Sequence, residues 1–267
     1  MKKLRSLKVE EKLKLYEKVK NLREKGLSYK KIAEKIAKDL KIKIDPTTIS
    51  AWYRNLCKPA GASSINLQPS PEFSYFLGAL IGDGNIRRKI HNYHYTVRLR
   101  VQDKDFAILF AKAASKIVNK KIKIRKEKDF TRCGERFLVA INNKRLWEFL
   151  RWKSLTQLIE IGKKFPAQFL KGLFDAEGSS SSKIQFSNTS LLLVREVSRL
   201  LKNLQINCRV RLAIRKGEKV RIRDKIYTAR KNIYVLTVSK KADIQKFVRL
   251  IGFGIKRKQR KAMSFLR

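Results

Sequence analysis

The sequence predicts an α+β protein of two units. Residues 1–56 read as a small all-α unit, residues 57–71 as a linker, and residues 72–267 as two αββαββα repeats related by a pseudo-twofold axis. Three observations lead there. The length of 267 residues exceeds what one core commonly serves. Helical periodicity near the start gives way to a stretch rich in Pro, Gly, Ser and Ala. One ten-residue pattern then occurs twice, 94 residues apart, with matching surroundings.

The first unit opens on a helix whose stripe is Leu13, Leu15, Tyr16, Val19 and Leu22, ended by Gly26. Ser28 caps a second helix centred on Ile32 and Ala33. Residues 41–45 form a longer, wing-like connection. Asp45 and Pro46 start a third helix over 47–56, with Ile49 and Trp52 inward and Thr47, Thr48, Ser50, Tyr53 and Arg54 outside. This order resembles a helix-turn-helix of the recombinase and transposase kind. The resemblance implies that the third helix offers short hydrogen-bonding side chains and one arginine to a DNA major groove. A three-helix bundle serving some other contact is the alternative.

The repeated pattern is residues 75–84, YFLGALIGDG, and residues 169–178, FLKGLFDAEG. After the first copy, a strand over 95–101, a helix over 105–118, strands over 121–126 and 136–142, and a helix over 145–152 are expected. After the second come a strand over 183–187, a helix over 191–204, strands over 208–215 and 232–238, and a helix over 242–251.

Composition narrows the function. Sixty-five Lys and Arg against 22 Asp and Glu give a net charge of +43, with +11 in residues 1–60 and +32 in the rest. Hydrophobic residues make up 43% of the chain, so a folded, self-repelling protein is expected that binds a polyanion, nucleic acid first of all. No apolar run reaches the 18 residues of a membrane span, and Met1-Lys2-Lys3-Leu4-Arg5 leads into charged residues, so an intracellular protein without a signal peptide is expected. Cys57, Cys133 and Cys208 are too scattered for a disulfide framework or a zinc site. His91 and His94 are the only imidazoles and weak evidence for a metal.

Small residues stand four apart in each copy, Gly78 and Gly82, then Gly172 and Ala176, which lets two helices approach closely. An acid follows each pair, Asp83 and Glu177. Two carboxylates at adjacent helix C-termini oppose both helix dipoles and each other. No lysine is adjacent in sequence to neutralise them. A divalent cation would resolve the conflict, and oxygen-only ligands favour Mg²⁺ or Mn²⁺. The other reading is that each acid caps a turn before its glycine.

The paired helices resemble the motifs of single-chain LAGLIDADG homing endonucleases over residues 72–253. The resemblance implies a monomer that cuts both strands of a long duplex DNA target and confers mobility on its own gene. It makes Asp83 and Glu177 the catalytic, metal-binding acids and adds Gly82 and Ala176 to the metal site. A second acid two residues upstream is kept as Asp175 but replaced by Ile81. Asp103 and Asn188 stand where the family places a polar residue, commonly Gln, with Gln102 one place away. Lys144, and Lys240 or Lys241, stand where it places a lysine near the cleaved phosphate.

The strands favour the same reading. Val97, Leu99 and Val101 alternate with Arg98, Arg100 and Gln102; Ile122 and Ile124 with Lys121, Lys123 and Arg125; Cys208, Val210, Leu212 and Ile214 with Arg209, Arg211, Ala213 and Arg215. Lys183 and Gln185 join the exposed set. Stripes in equivalent places, almost without acids, predict a basic DNA-binding saddle. A non-cleaving DNA-binding regulator on the same fold and an RNA-splicing maturase remain as alternatives.

Overall fold

The computed structural model describes residues 1–59, 65–89, 94–129, 134–222 and 225–266. The first unit contains β1 (Lys2–Lys3), α1 (Val9–Glu24), α2 (Tyr29–Leu40), β2 (Ile42–Lys43) and α3 (Pro46–Tyr53). Gly26 takes a left-handed φ of +85°, which stops α1. The Ser28 hydroxyl accepts from Lys31 N at 3.3 Å, and Asp45 accepts from Thr47 N at 2.8 Å, capping α2 and α3. Leu15, Tyr16, Val19, Ile32, Ile36, Ile49 and Trp52 form a core separate from that of the second unit, with Tyr16 edge-on to Trp52. The wing-like connection is β2, paired in parallel with β1.

The linker is shorter than expected. Residues 60–64 lie outside the described residues, but 65–70 are docked. Asn66 N donates to Ile117 O at 2.7 Å, and Ile65 and Leu67 pack on the second core. Two apolar side chains among polar neighbours suffice to pin the strand of chain that sequence composition marks as loose.

The second unit runs α4 (Pro71–Asp83), β3 (Gly84–Lys89), β4 (His94–Val101), α5 (Lys104–Val118), β5 (Ile124–Asp129), β6 (Gly134–Asn142), α6 (Lys144–Arg151) and α7 (Leu155–Gly162). It continues with α8 (Pro166–Glu177), β7 (Gly178–Ser180), β8 (Ile184–Asn188), α9 (Leu191–Asn203), β9 (Arg209–Ile214), β10 (Lys219–Ile222), β11 (Lys225–Thr228), β12 (Ile233–Val238), α10 (Lys241–Leu250) and α11 (Lys256–Ser264). The two main sheets are antiparallel and ordered β3-β4-β6-β5 and β7-β8-β12-β9. That is one topology twice, and it is the expected pair of αββαββα repeats. The β10–β11 hairpin, α7 and α11 lie outside the repeating unit.

Close approach of α4 and α8 holds the halves together. A Cβ on Gly78 would stand 2.2 Å from Phe169 O, and one on Gly172 would stand 2.3 Å from Tyr75 O. Only hydrogen fits at either place. Around this seam Phe76, Phe110, Phe169, Leu173 and Phe174 are fully buried.

Candidate active site

Both motif helices end on their acid, and the next residue is a glycine that turns the chain straight into a strand. Gly84 N donates to Leu80 O and Gly178 N to Phe174 O as the helices close. A Cβ on Gly82 would stand 2.3 Å from the Ala176 Cβ and 3.2 Å from the Glu177 Cγ, so the two helix ends touch. Asp83 is the more accessible of the two residues and Glu177 is half-buried, but protein packs around both carboxyl groups. Burial raises the pKa of both. Glu177 is pushed up to about 7 by burial and then by the Asp83 charge, against the pull of Lys258 and a hydrogen bond from Asn188. Asn188 Nδ2 lies 3.3 Å from Glu177 Oε1, so the expected polar accessory of the second repeat does reach its acid.

The donor set fits a hard divalent cation. It comprises two crowded carboxylates and the carbonyls of Gly82 and Ala176, which the helix ends leave without an intrahelical partner. Among the described residues no three of His, Cys, Asp and Glu form a complete cage, so water or phosphate would fill the remaining positions. His91 and Cys133 lie outside the described residues.

A lysine is in fact beside the acids, contrary to the reading of the sequence. Lys258 of α11 is 7% exposed, and its Nζ donates to Asp175 O at 2.6 Å and Phe174 O at 3.2 Å. Its charge acts on both Asp83 and Glu177. Asp175 is also buried. It accepts from the Tyr75 hydroxyl at 2.8 Å, from Gly254 N at 2.8 Å and from Ile255 N at 3.3 Å, tying α4, α8 and the start of α11 together.

Several expected site residues fall elsewhere. Asp103 and Asn188 are not equivalent: Gly84 pairs with Leu99 and Gly178 with Phe186, so Asn188 corresponds to Val101 and Asp103 to Ser190, the caps of α5 and α9. Asp103 instead accepts two hydrogen bonds from Arg257, at 2.6 and 2.8 Å. Lys144 lies beside Glu148 and over the Tyr95 ring. Tyr95 pairs with Arg88, four residues along β3 from Gly84 and so roughly 13 Å from the acid's end. Lys240 and Lys241 follow Val238, which pairs with Ile184, whereas the Asn188 end pairs with Tyr234. All three lysines stand at the far ends of their sheets, because the fourth strand of each repeat runs away from the acid.

One face of each sheet carries Arg87, Arg98, Arg100 and Arg125 in the first repeat and Gln185, Arg209 and Arg211 in the second. Burial and the neighbouring Arg87 push the Arg98 guanidinium below its ordinary range, as like charges crowd. Gln102 is exposed just past β4, Lys121 and Lys123 lie before β5 rather than in it, and Lys183 is in the β7–β8 turn. Arg100 is engaged by Glu127 at 2.9 Å, so this face is not free of acids. A bulge in β9 reverses the alternation after Leu212, so Arg215 does not share the face of Arg209 and Arg211. Leu212 is 39% exposed rather than core. In α3, the Thr47 hydroxyl is taken by Asp45, Ser50 and Arg54 lie near the Tyr29 hydroxyl, and the Arg23 guanidinium stands over the Tyr53 ring.

A sequence model of the LAGLIDADG-like domain matches residues 164–252, the second repeat. Protein MJ0398 of Methanocaldococcus jannaschii is 35% identical over 98% of this chain and 97% of its own. A variant of I-DmoI, in complex with its target DNA in the presence of magnesium, shares 25% identity and a TM-score of 0.51, covering 70% of this chain and 98% of that one. The chain belongs to the LAGLIDADG family. Its fold is the single-chain, two-motif form, shared also with I-DmoI in complex with DNA and manganese, at 24% identity over 68% of this chain and 96% of that one, with a TM-score of 0.50. Among the described residues no helix is long and apolar enough to cross a membrane.

Proposed function

We propose that this LAGLIDADG protein is a site-specific, divalent-metal-dependent endonuclease that cuts both strands of a DNA duplex as a monomer. The observation that carries the proposal is the acid pair, Asp83 and Glu177, set at two touching, glycine-stapled helix ends where burial raises both carboxyls and the Asp83 charge raises Glu177 further, with Lys258 opposing only part of the shift. These carboxylates, with the carbonyls of Gly82 and Ala176, would hold Mg²⁺ or Mn²⁺. The cation would supply Lewis-acid polarisation of the scissile phosphate and acidify the attacking water. Asn188 orients Glu177 through its amide.

Arg98, Gln102, Lys121, Lys123 and Arg125 serve one half of the duplex, and Lys183, Gln185, Arg209 and Arg211 the other, mainly through phosphates. The first unit contacts flanking DNA through α3. Incubation with a randomised duplex library and Mg²⁺, followed by sequencing of cut ends, tests this. One enriched cut site, absent with Asp83→Asn, is the expected outcome; no cut site overturns it. A second reading, binding without cutting, gains from Val101, an apolar residue, at the place where the second repeat has Asn188 beside Glu177. Footprinting of an uncut site in Mg²⁺ would favour it.

A further inference from the structure

The first turn of α11 is anchored on every side, and its anchors belong to both repeats. Asp175 Oδ1 accepts from Gly254 N and Ile255 N. Lys256 N donates to Asp105 Oδ2 at 3.2 Å, and Arg257 grips Asp103. The Ser180 hydroxyl donates to Lys258 O at 2.7 Å. The side chain fixed by this arrangement is Lys258, whose ammonium reaches inward to the last turn of α8. Burying an ammonium is costly and needs compensation. Here its direct partners are two carbonyls at the negative end of a helix dipole, and among the described residues no carboxylate forms a salt bridge with it. Its positive charge is therefore left to act on the acids around it, Asp83, Asp103 and Asp175 among them.

We propose that Lys258 is a resident cation of the acid pair, a positioning residue that fixes the end of α8 beside Glu177 and competes electrostatically with any divalent cation held by Asp83 and Glu177. The inference rests on the metal-binding reading of those two acids. The covalent chain thus supplies part of the positive charge that the pair demands. A divalent ion is held loosely until the phosphates of bound DNA add their own negative charge and oxygen donors.

The test is calorimetric titration of Ca²⁺ into the full chain without DNA, comparing wild type, Lys258→Met and Lys258→Arg. Removing the cation raises Ca²⁺ affinity by at least about fivefold, while Lys258→Arg stays within about twofold of wild type. Simple damage to α8 would move affinity the other way. Equal or weaker binding by a folded Lys258→Met overturns the inference. Binding by neither protein overturns the metal reading of Asp83 and Glu177, and the inference with it. If Lys258→Met does not fold, wild type decides: the ε-ammonium resonance of Lys258 must shift when Ca²⁺ is added. An unmoved resonance in a chain that binds Ca²⁺ overturns the inference.

Discussion

Glu177→Gln is expected to stabilise the metal-free protein in a pH-dependent way. The Glu177 pKa is pushed from 4.5 to about 7 by burial and by Asp83. Below about pH 4.5 the carboxyl is protonated in folded and unfolded chains alike and has no effect. As the pH rises, the unfolded chain loses its proton first, so the fold is progressively disfavoured, and the full cost is present above about pH 7. The interval between the two values corresponds to roughly 3 kcal/mol at most. Solvent screening at a half-buried site reduces this to about 1–2 kcal/mol.

Glutamine keeps the shape and can still accept from Asn188, but it carries no charge. For a unit of this size the gain raises Tm by about 2–8 °C at alkaline pH. Thermal melts in EDTA at about pH 8 and about pH 5 measure it. The rise should appear at pH 8 and be much smaller at pH 5. No rise at pH 8, or equal rises at both, would refute the account of the crowded carboxylates. Added Mg²⁺ should stabilise wild type and not the variant.

Asp83→Asn should abolish double-strand cutting and leave DNA affinity nearly unchanged in a gel-shift titration, since the carboxylate serves the cation rather than the phosphates. Gly78→Ala, whose Cβ meets Phe169 O at 2.2 Å, should cost about 3 kcal/mol or more in denaturant melts. Gly26→Ala, with open space but a left-handed φ, should cost only about 1 kcal/mol. Lys144→Ala should leave the cutting rate unchanged within about twofold, because what it removes, a pair with Glu148 and a contact over the Tyr95 ring, lies far from the acids. DNA affinity should fall by roughly 10³–10⁵ between 50 and 200 mM salt, read by fluorescence anisotropy. A flat response would detach the basic strand faces from binding.

The repeats were legible because small residues four apart, each pair followed by an acid, leave a local signature, and the alternation in β4 leaves another. What escaped depends on long-range geometry. Lys258 sits in the run KRKQRK, which reads as a solvated helix. Its burial follows from Asp175 capturing Gly254 and Ile255, contacts 79 and 80 residues distant in sequence. The resemblance sets Lys144, and Lys240 or Lys241, just after the fourth strand of each repeat, but it does not fix that strand's direction, which carries them away from the acids. Arg215 was lost to a bulge that alternation cannot foresee. β3, Gly84–Lys89, lacks a clean period of two and becomes a strand by pairing with β4.

The hydrogen bond from Tyr75 to Asp175 has no mirror image. Phe169 occupies the place equivalent to Tyr75 and has no hydroxyl, and Ile81 occupies the place equivalent to Asp175 and has no carboxylate. A symmetrised protein built from two copies of the second repeat would bury two acids without the tyrosine. One built from two copies of the first would strand two tyrosine hydroxyls. The duplicated halves have diverged into complementary parts, so neither can stand in for the other across the seam. The molecule therefore has a left and a right, built into its buried seam as well as its surface.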